Sequence, residues 1–588
     1  MIRDPVCGMP LTEPKEEFKA EVRGRTYYFC GEYCKHVFLR GKKIAYFSME
    51  IGFNNDFHTY SGGLGALAGD MIKSSADLKI PLVGVTLVSK KGYLKQELRD
   101  GKQIEHPDDW MPSKLMNDLP NQVELNIQNR KVRVKAWLHD YQSPTGGLVP
   151  VLFLDTDVEG NTPEDREITS FLYGGDERYR LKQEIVLGIG GVKMLEAAGF
   201  KIGKYHMNEG HSCLLTLELL AKNGMELDEV RDLCIFTTHT PVEAGHDKFS
   251  YDLVQEMLGE IIPLETLKEL GGHDRLNMTR LALNLSKYVN GVAKRHKEFS
   301  LNLFPGYNIS AITNGVHSFT WTCESFRRLF DKYLPGWANE PELLVRVDGI
   351  PGEEIWRAHI EAKEALIRYV REQSGLRFDP DVLTLGFARR VTGYKRPSLL
   401  FSNIKRLEEI NRVGKIQVIY AGKAHPKDWM GKRLIEEIHE MKDNLKDTAK
   451  IVYLENYDLQ MAAKLTSGVD VWLNTPLPPY EASGTSGMKA AHNGVINFSV
   501  LDGWWVEGCV EGVTGWAIGP SPKENLEESE RRYREVTELY NKLEYLIFPK
   551  FYRNRDDWIK MMENSIGKVA YYFNSHRMMR RYASEAYL

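Results

Sequence analysis

Short apolar runs alternate with helical patterns along most of this chain, and no other feature constrains its fold as strongly. The runs have the length and β-branched content of buried strands: IAYFSMEIG, PLVGVTLVS, VPVLFLDT, KYHM, LCIFTTHT and NISAIT. Between and beyond them, helical patterns cover the stretches near 177–198, 211–222 and 277–297. Such alternation predicts a mostly parallel sheet with helices on both faces.

A second series of the same kind follows a long amphipathic pattern, IWRAHIEAKEALIRYVREQSG, which ends at Gly375. Its strand-like runs are VLTLGFA, IQVIYAG, IVYL, VDVWLN and GVINFSV. From about residue 525 the pattern is helical, without a strand signal. We therefore predict an α/β protein with two doubly wound, Rossmann-like domains, over 42–355 and 356–545. Helices over 546–588 are expected to pack back on the first domain. The cleft between the two domains is the predicted active site, because open α/β sheets bind ligands at the carboxyl ends of their strands.

Composition excludes several classes of protein. The 588 residues carry a formal net charge of −4, so no global basic field draws the chain to nucleic acid. No apolar run is long enough to cross a bilayer, and the first residues, MIRDPVCGMP, lack the plan of a signal peptide. We expect a cytoplasmic protein that binds neither nucleic acid nor membrane. A homo-oligomer is also expected.

The segment EASGTSGMK, residues 481–489, follows the strand-like run VDVWLN and leads into an Ala-rich helical turn. Small residues let the backbone approach an anion closely, and free N–H groups at a helix start favour negative charge. Lys489 stands one turn into that helix. A lysine beside a phosphate cradle suits an aldehyde-phosphate cofactor. A plain glycine turn with a surface lysine is the alternative.

Three cations crowd the end of another strand-like run. Arg389, Arg390 and Lys395 lie within seven residues, after VLTLGFA. Guanidinium groups match the geometry of phosphate, and a lysine adds a point charge. A solvated charge run is the alternative interpretation. The position after a buried strand favours a phosphate site.

Polar and glycine-rich segments end strands of the first sheet as well. Tyr60 to Gly65, YSGGLG, is a loop of backbone donors at a helix start, and a structural turn is its plainer interpretation. His239 in TTHTP and Asn314 in ITNGVH each follow a strand, where a structural histidine is also possible. HMNEGH, residues 206–211, contains two histidines and a glutamate, but its spacing is not that of a zinc-protease helix.

Taken together, these motifs resemble the ordered motif set of the glycogen and α-glucan phosphorylases. The matching segments are SGGLG, HMNEGH, THTPVEAGHDKF, ITNGVH, FARRVTGYKRP, AGKAHP and EASGTSGMK, and they run in order from about residue 43 to beyond 510. The resemblance implies two Rossmann-like domains facing across a cleft, a GT-B-like arrangement. It also implies pyridoxal 5′-phosphate as cofactor, with Lys489 forming the Schiff base.

The resemblance also implies roles for individual positions. The catalytic residues would be Lys489, Arg390, Lys395 and His239, whose backbone carbonyl would face the anomeric carbon. The cofactor and the phosphates near it would be held by Lys489, Thr485, Ser486, Gly487, Arg389 and Gly63, with the Gly63 backbone matching the substrate-phosphate site. The sugar would be bound by Gly62, Asn314, Glu481, Ser483 and Gly484.

The reaction implied is phosphorolysis of α-1,4-glucan ends to glucose 1-phosphate with retention of configuration. Retaining hydrolases use two carboxylates about 5 Å apart, whereas in this family the cofactor phosphate and the substrate phosphate handle the proton. The chain departs from the animal enzymes in reading Thr-Ser-Gly-Met-Lys at 485–489 and Thr392-Gly393 beside the cations. Its short length resembles the bacterial and archaeal branch, so regulation by phosphorylation or nucleotides is not expected.

The first 41 residues form a predicted separate module. Three of the seven cysteines, Cys7, Cys30 and Cys34, lie here with the spacing C-x22-C-x3-C. The segments DPVCGM and YYFCGEYC resemble the YHS/TRASH family of metal-associated domains. Three thiolates suit zinc or another soft ion, although a closed zinc site needs a fourth ligand. His36 is the nearest candidate, but its offset from Cys34 points it away if the stretch is helical. A reduced structural module is the alternative.

Two other functions stay open on sequence grounds. A sugar-nucleotide-dependent glucan synthase shares the two-sheet plan and a paired Arg/Lys, but it needs no pyridoxal phosphate, and Lys489 argues against it. A non-catalytic glucan- or metal-binding protein could keep the fold, although its motif residues would be free to drift.

Overall fold

The computed structural model describes residues 2–22 and 24–588. The N-terminal module contains two short antiparallel hairpins and one helix: Ile2–Arg3 with Pro10–Leu11, Lys19–Val22 with Arg25–Tyr28, and Glu32–Arg40. Tyr27, Phe29 and Cys34 are its buried centre. The module packs on the main body, where Arg25 Nη1 donates to Asp140 at 2.5 Å and Lys79 Nζ donates to the Cys7 carbonyl at 2.6 Å.

A nine-stranded mixed sheet organises the first half of the main body. Its order places the earliest strand, Lys43–Ser48, near the centre between Ile202–Asn208 and Leu82–Leu87. All strands on the Ile202–Asn208 side of this strand are parallel to it. On the Leu82–Leu87 side, the last two strands of the sheet are antiparallel to their neighbours. In spatial order the strands are Ser310–Ala311, Tyr288–Gly291, Cys234–Thr237, Ile202–Asn208, Lys43–Ser48, Leu82–Leu87, Leu148–Asp155, Arg130–Gln142 and Asn117–Ile127.

Two features of this sheet differ from the sequence prediction. The edge is a long antiparallel hairpin, Asn117–Ile127 with Arg130–Gln142, for which the sequence predicted no strand. The predicted helix over 277–297 is wrong in its middle, because strand Tyr288–Gly291 separates helices Met278–Asn284 and Lys294–Leu303. Val289 is buried in the sheet, and a four-residue strand between two helices is too short to show its own period.

Helices cover this sheet. The helices of the first half are Gly63–Asp77, Pro163–Arg166, Glu177–Ile185, Gly191–Ala197, Leu215–Lys222, Leu227–Leu233, Tyr251–Leu258, Leu264–Gly271, Met278–Asn284, Lys294–Leu303, Ser318–Trp321 and Glu324–Tyr333. A π-helical stretch, Val186–Gly190, joins two of them into one continuous helix, in agreement with the helix predicted near 177–198. Two small antiparallel pairs accompany them: the hairpin Lys95–Arg99 with Lys102–His106, and the pair Lys248–Phe249 with Leu276–Asn277.

The second sheet has six parallel strands in doubly wound order. Helix Gly352–Ser374 leads into it and ends at Gly375, which adopts a left-handed φ of 73°. In spatial order the strands are Lys450–Leu454, Ile416–Ala421, Leu383–Ala388, Val471–Asn474, Ile496–Val500 and Gly515–Ile518. Numbered along the chain this order is 3-2-1-4-5-6, so its switch point lies between Leu383–Ala388 and Val471–Asn474. The helices of this region are Ile404–Val413, Trp429–Asn444, Leu459–Gly468, Ser486–Ala491 and Trp505–Gly508.

The remaining chain is helical, as the sequence predicted. Its helical segments are Glu528–Lys542, Leu543–Ile547, Phe548–Arg553, Arg555–Asn564, Ser565–Ala570 and Ser575–Glu585. The last of these packs on the first half of the main body. Tyr582 Oη contacts Asn290 in the first sheet at 3.0 Å, and Ser575 Oγ contacts Ser74 Oγ in helix Gly63–Asp77 at 2.5 Å. None of the helices described is long and apolar enough to cross a membrane.

Candidate active site

A cleft of about 890 Å³ lies between the loops that leave the two sheets. The first sheet contributes the glycine turn at 62–63 and the segments around His239 and Asn314. The second contributes the segments 388–395 and 480–489, which follow the two strands at the switch point of the sheet. The sequence-predicted residues of both halves therefore meet in one cavity, with Gly487 packed behind its wall.

Lys489 is a buried amine on the wall of this cleft. It lies in helix Ser486–Ala491, and only 6% of its surface is exposed. Its Nζ is 3.7 Å from the ring centroid of Trp321, and no hydrogen-bond acceptor for this atom is found in the described part of the chain. Burial lowers the pKa of Lys489 to about 8. A substantial fraction of this amine is therefore unprotonated at neutral to mildly alkaline pH, which is the form that attacks a carbonyl.

The loop before this helix is built around glycines. Gly484 has a left-handed φ of 76°, and the Ser486 hydroxyl accepts a hydrogen bond from the Trp472 indole at 2.9 Å. A Cβ added to Gly487 would lie 2.2 Å from Oδ1 of Asn497, so only glycine fits where the helix passes strand Ile496–Val500. Thr485 precedes the helix and makes no side-chain cap to it. Its hydroxyl and the first N–H groups of the helix are therefore not used by a cap.

The three predicted cations line the same cleft, with one carboxylate among them. Glu481 receives a hydrogen bond from Arg389 Nη2 and lies 3.3 Å from Lys395 Nζ. Burial and the nearby Arg389 guanidinium lower the pKa of Lys395 to about 7. Arg390 is exposed to the cleft, and no carboxylate lies within ion-pair distance of it among residues 2–22 and 24–588. Three basic side chains therefore face the single carboxylate that is paired with two of them, and this side of the cleft is suited to an anion.

The glycine turn of the first sheet faces these cations from across the cleft. Oε2 of Glu50 accepts the backbone N–H groups of Ser61 at 2.7 Å and Gly62 at 3.1 Å, which fixes the turn. A Cβ added to Gly62 or Gly63 would meet no atom within 4 Å. The two glycines are therefore not required by packing, and their missing side chains leave open space in the cavity.

The predicted sugar-binding residues lie around the same cavity. Asn314 is 4% exposed, and its Oδ1 has no hydrogen-bond partner in the described structure. His239 donates from Nε2 to Asn208 Oδ1 at 2.6 Å, and burial lowers its pKa to about 3, so it is neutral. Ser483 is buried, with its hydroxyl bonded to the Gly484 carbonyl at 3.1 Å. Glu481, predicted to bind sugar, is hydrogen-bonded to Arg389 and lies beside Lys395.

Two residues that contact the lining of the cleft were missed by the sequence reasoning. Trp321 follows Asn314 by seven residues, and its indole is held by Asp70 Oδ2 at 2.8 Å. Asp502 accepts the backbone N–H of Glu481 at 2.9 Å, and burial raises its pKa to about 7. The run DGWW marks a turn after a strand, but nothing in it indicates a contact 21 residues earlier.

The comparison with known proteins agrees with this geometry. The family model for carbohydrate phosphorylases matches residues 51–181 and 245–513, more than half of the chain. The chain belongs to the carbohydrate phosphorylase family. Maltodextrin phosphorylase of Thermococcus litoralis is 39% identical to this phosphorylase, over 97% of the chain and 73% of the relative. Glycogen phosphorylases of Aquifex aeolicus and Mycobacterium tuberculosis are each 37% identical, over 93% and 92% of the chain and 86% and 70% of the relatives.

The N-terminal module of this phosphorylase matches a second family model, the YHS domain, over residues 2–43. Its three sulfurs converge: Sγ of Cys30 lies 3.5 Å from Sγ of Cys7 and 3.6 Å from Sγ of Cys34. The fourth group is not His36 but Asp4, whose carboxylate accepts the backbone N–H groups of Cys7 and Cys30. Burial raises the pKa of Cys30 to about 11. The cluster has the donor atoms of a metal site, and an ion would be needed to hold its thiolates.

Proposed function

We propose that this chain is an α-glucan phosphorylase, which converts the non-reducing ends of α-1,4-glucans and inorganic phosphate to glucose 1-phosphate. The observation that carries the proposal is the meeting of Lys489 with Arg389, Arg390 and Lys395 in one cleft. The maltodextrin and glycogen phosphorylases named above support the substrate class. A synthase that uses a sugar nucleotide does not require a buried amine of lowered pKa such as that of Lys489.

Members of the family generally use pyridoxal phosphate, and the residues of this cleft fit that group. Lys489 offers an amine without a hydrogen-bond partner among the described residues, at a pKa of about 8. Arg389 has a buried Nε without a partner in the same part of the chain, and the loop at 484–487 offers uncapped N–H groups. We propose that Lys489 holds the cofactor covalently and that Thr485, Ser486, Gly487 and Arg389 hold its phosphate.

Inorganic phosphate is proposed to bind between Arg390, Lys395 and the backbone of Gly63. The two phosphates would compete with Glu481 for its partners, the inorganic phosphate for Lys395 and the cofactor phosphate for Arg389. The carboxylate of Glu481 is then released to accept hydroxyl groups of the sugar, together with Ser483 and Gly484. Phosphate binding would thereby prepare the sugar site, because one carboxylate serves both.

When bound, pyridoxal phosphate supplies a phosphate that acts as acid–base partner of the inorganic phosphate. The residues of the chain hold these two anions close together, and the cations offset their repulsion. The inorganic phosphate can then donate a proton to the leaving glycosidic oxygen and attack the same face of the sugar, which retains the configuration. Asn314 is proposed to bind a sugar hydroxyl through its unpartnered Oδ1. The His239 carbonyl is proposed to face the anomeric carbon.

The cleft geometry also supports a GT-B-like arrangement, in which two Rossmann-like domains face one another. We propose the division 42–355 and 356–545, with helices over 546–588 packed back on the first domain. The contacts of Tyr582 with the first sheet and of Ser575 with helix Gly63–Asp77 support this last assignment.

An experiment on Lys489 tests the cofactor and the reaction together. Purified protein loaded with pyridoxal phosphate should absorb in the near ultraviolet and release glucose 1-phosphate from maltodextrin only when phosphate is present. Lys489→Ala should lose both the absorption and the activity. A Lys489→Ala protein that keeps both would refute the proposal. Transfer from a sugar nucleotide without phosphate would favour the synthase, and binding of glucan without turnover would favour a non-catalytic protein.

For the N-terminal module we propose a site for zinc or another soft metal at Cys7, Cys30 and Cys34. The short distances between their sulfur atoms support this: Sγ of Cys30 lies 3.5 Å from that of Cys7 and 3.6 Å from that of Cys34. Metal analysis of the purified protein should give one ion per chain, and Cys30→Ser should lose it. Equal metal content in Cys30→Ser and the unmodified protein would contradict the site.

A further inference from the structure

Glu209, in the segment HMNEGH, has a backbone conformation that side chains other than glycine rarely adopt. It follows strand Ile202–Asn208 with φ 75° and ψ 167°. Its side chain lines the cleft, and only 5% of the residue is exposed. Strain of this kind persists where the surrounding contacts hold a residue in place, and those contacts indicate what it does.

The contacts of Glu209 lead to the end of the neighbouring strand. Its Oε2 accepts the backbone N–H of His239 at 2.6 Å and the hydroxyl of Thr240 at 2.9 Å, while Oε1 accepts the N–H of Gly210 at 3.0 Å. The imidazole of His239 is held separately, by Oδ1 of Asn208 at 2.6 Å. Two adjacent residues of one strand end therefore fix His239, one through its backbone and the other through its side chain.

We infer that Glu209 is a positioning residue, which orients the His239–Thr240 backbone so that the His239 carbonyl oxygen faces the sugar. The inference rests on the proposed function, in which positive charge develops at the anomeric carbon. A carbonyl dipole stabilises that charge only if it is already aligned when the charge forms. The carboxylate accepts the N–H of His239, which precedes this carbonyl, and the hydroxyl of Thr240, which follows it, so the carbonyl lies between two anchored points of the backbone.

Burial raises the pKa of Glu209, which opposes ionisation, and the hydrogen bonds from His239, Gly210 and Thr240 act in the other direction. A glutamine at 209 would present an amide nitrogen where only donors face it. One backbone N–H would lose its acceptor, so the two strand ends would be held less firmly. A glycine would remove the carboxylate and at the same time relieve the positive φ.

The test compares Glu209→Gln, Glu209→Gly and Glu209→Asp in the cofactor-loaded protein, with Asp100→Gly as control. Asp100 also has a positive φ, 51°, and a carboxylate, but it lies in the exposed hairpin turn before Gly101. We expect kcat for phosphorolysis to fall about 10- to 100-fold in the Gln and Gly variants. KM for phosphate should stay within about threefold, since the phosphate cations belong to the other sheet. Glu209→Asp should recover part of kcat, and Asp100→Gly should match the unmodified protein.

Several outcomes would overturn the inference. One is a kcat within threefold of the unmodified protein in Glu209→Gly; another is an equal rise in KM for phosphate and fall in kcat. Loss of the cofactor absorption in both the Gln and Gly variants would also overturn it, because Glu209 would then serve the fold rather than the carbonyl. If the unmodified protein forms no glucose 1-phosphate, the proposed function fails instead, so the two failures are distinguishable.

Discussion

Replacement of Lys489 by methionine should stabilise the cofactor-free protein while it abolishes function. Burial lowers the pKa of this amine from 10.5 to about 8. At 1.36 kcal/mol per unit, the charged amine costs the native state about 3 kcal/mol. The contact with Trp321, 3.7 Å from its ring centroid, offsets about 0.5–2 kcal/mol of this cost. Lys489→Met keeps the length of the side chain without the charge, so we expect a gain of about 1–3 kcal/mol in the free energy of unfolding at pH 7.

The stability difference between Lys489→Met and the unmodified protein should decrease as pH rises. Between pH 8 and 10.5 the unfolded chain binds a proton at residue 489 that the native protein has released, so the unmodified protein gains stability as pH rises. The methionine variant has no titrating group at this position, so its free energy of unfolding does not gain in this way. The excess in its free energy of unfolding over the unmodified protein should therefore shrink towards zero near pH 10.5. Denaturant unfolding of cofactor-free protein, followed by tryptophan fluorescence at pH 7 and at pH 10, measures the difference. Lys446→Met, at an exposed position, is the control. A variant that is less stable at pH 7, or a difference that does not change with pH, would refute the reasoning.

Three further predictions concern the glycines and cations of the cleft. Gly487→Ala should lower the free energy of unfolding by about 1–3 kcal/mol in thermal or denaturant melts, since its Cβ would lie 2.2 Å from Asn497; an unchanged melt would contradict the packing described. Gly63→Ala should leave the melt unchanged but raise KM for phosphate in the phosphorolysis assay, because its Cβ meets no atom and enters the cavity; an unchanged KM would place phosphate elsewhere. Arg390→Met should reduce kcat/KM for phosphate by about 10²–10³ in the same assay, and a loss below tenfold would exclude it from the phosphate site.

The sequence predicted those parts of the site that lie at strand ends. Arg389 and Lys489 are far apart in the chain, but both follow strands that flank the switch point of a parallel sheet, and this topology brings them together. The alternation of strands and helices predicted a mostly parallel, doubly wound sheet from local patterns, but not the order of its strands. The motif resemblance then indicated which strand ends to expect in the site.

The parts that were missed depend on tertiary contacts. Strand Tyr288–Gly291 is too short to show a period of its own and was included in a predicted helix. Buried and exposed residues alternate along both strands of the hairpin Asn117–Ile127 with Arg130–Gln142. These strands therefore lack the continuous apolar run by which the other strands were predicted. The pairing of Glu481 with the cations, and the position of Trp321 over Lys489, are likewise set by the packing of distant segments.

The most direct test of the central claim is the product that the cofactor-loaded protein makes from maltoheptaose and inorganic phosphate. Proton NMR of the reaction reports both the product and its anomeric configuration. The account predicts α-glucose 1-phosphate and a glucan shortened by one residue, with no reaction when phosphate or pyridoxal phosphate is omitted. Free glucose, β-glucose 1-phosphate, or a turnover that does not need the cofactor would contradict it.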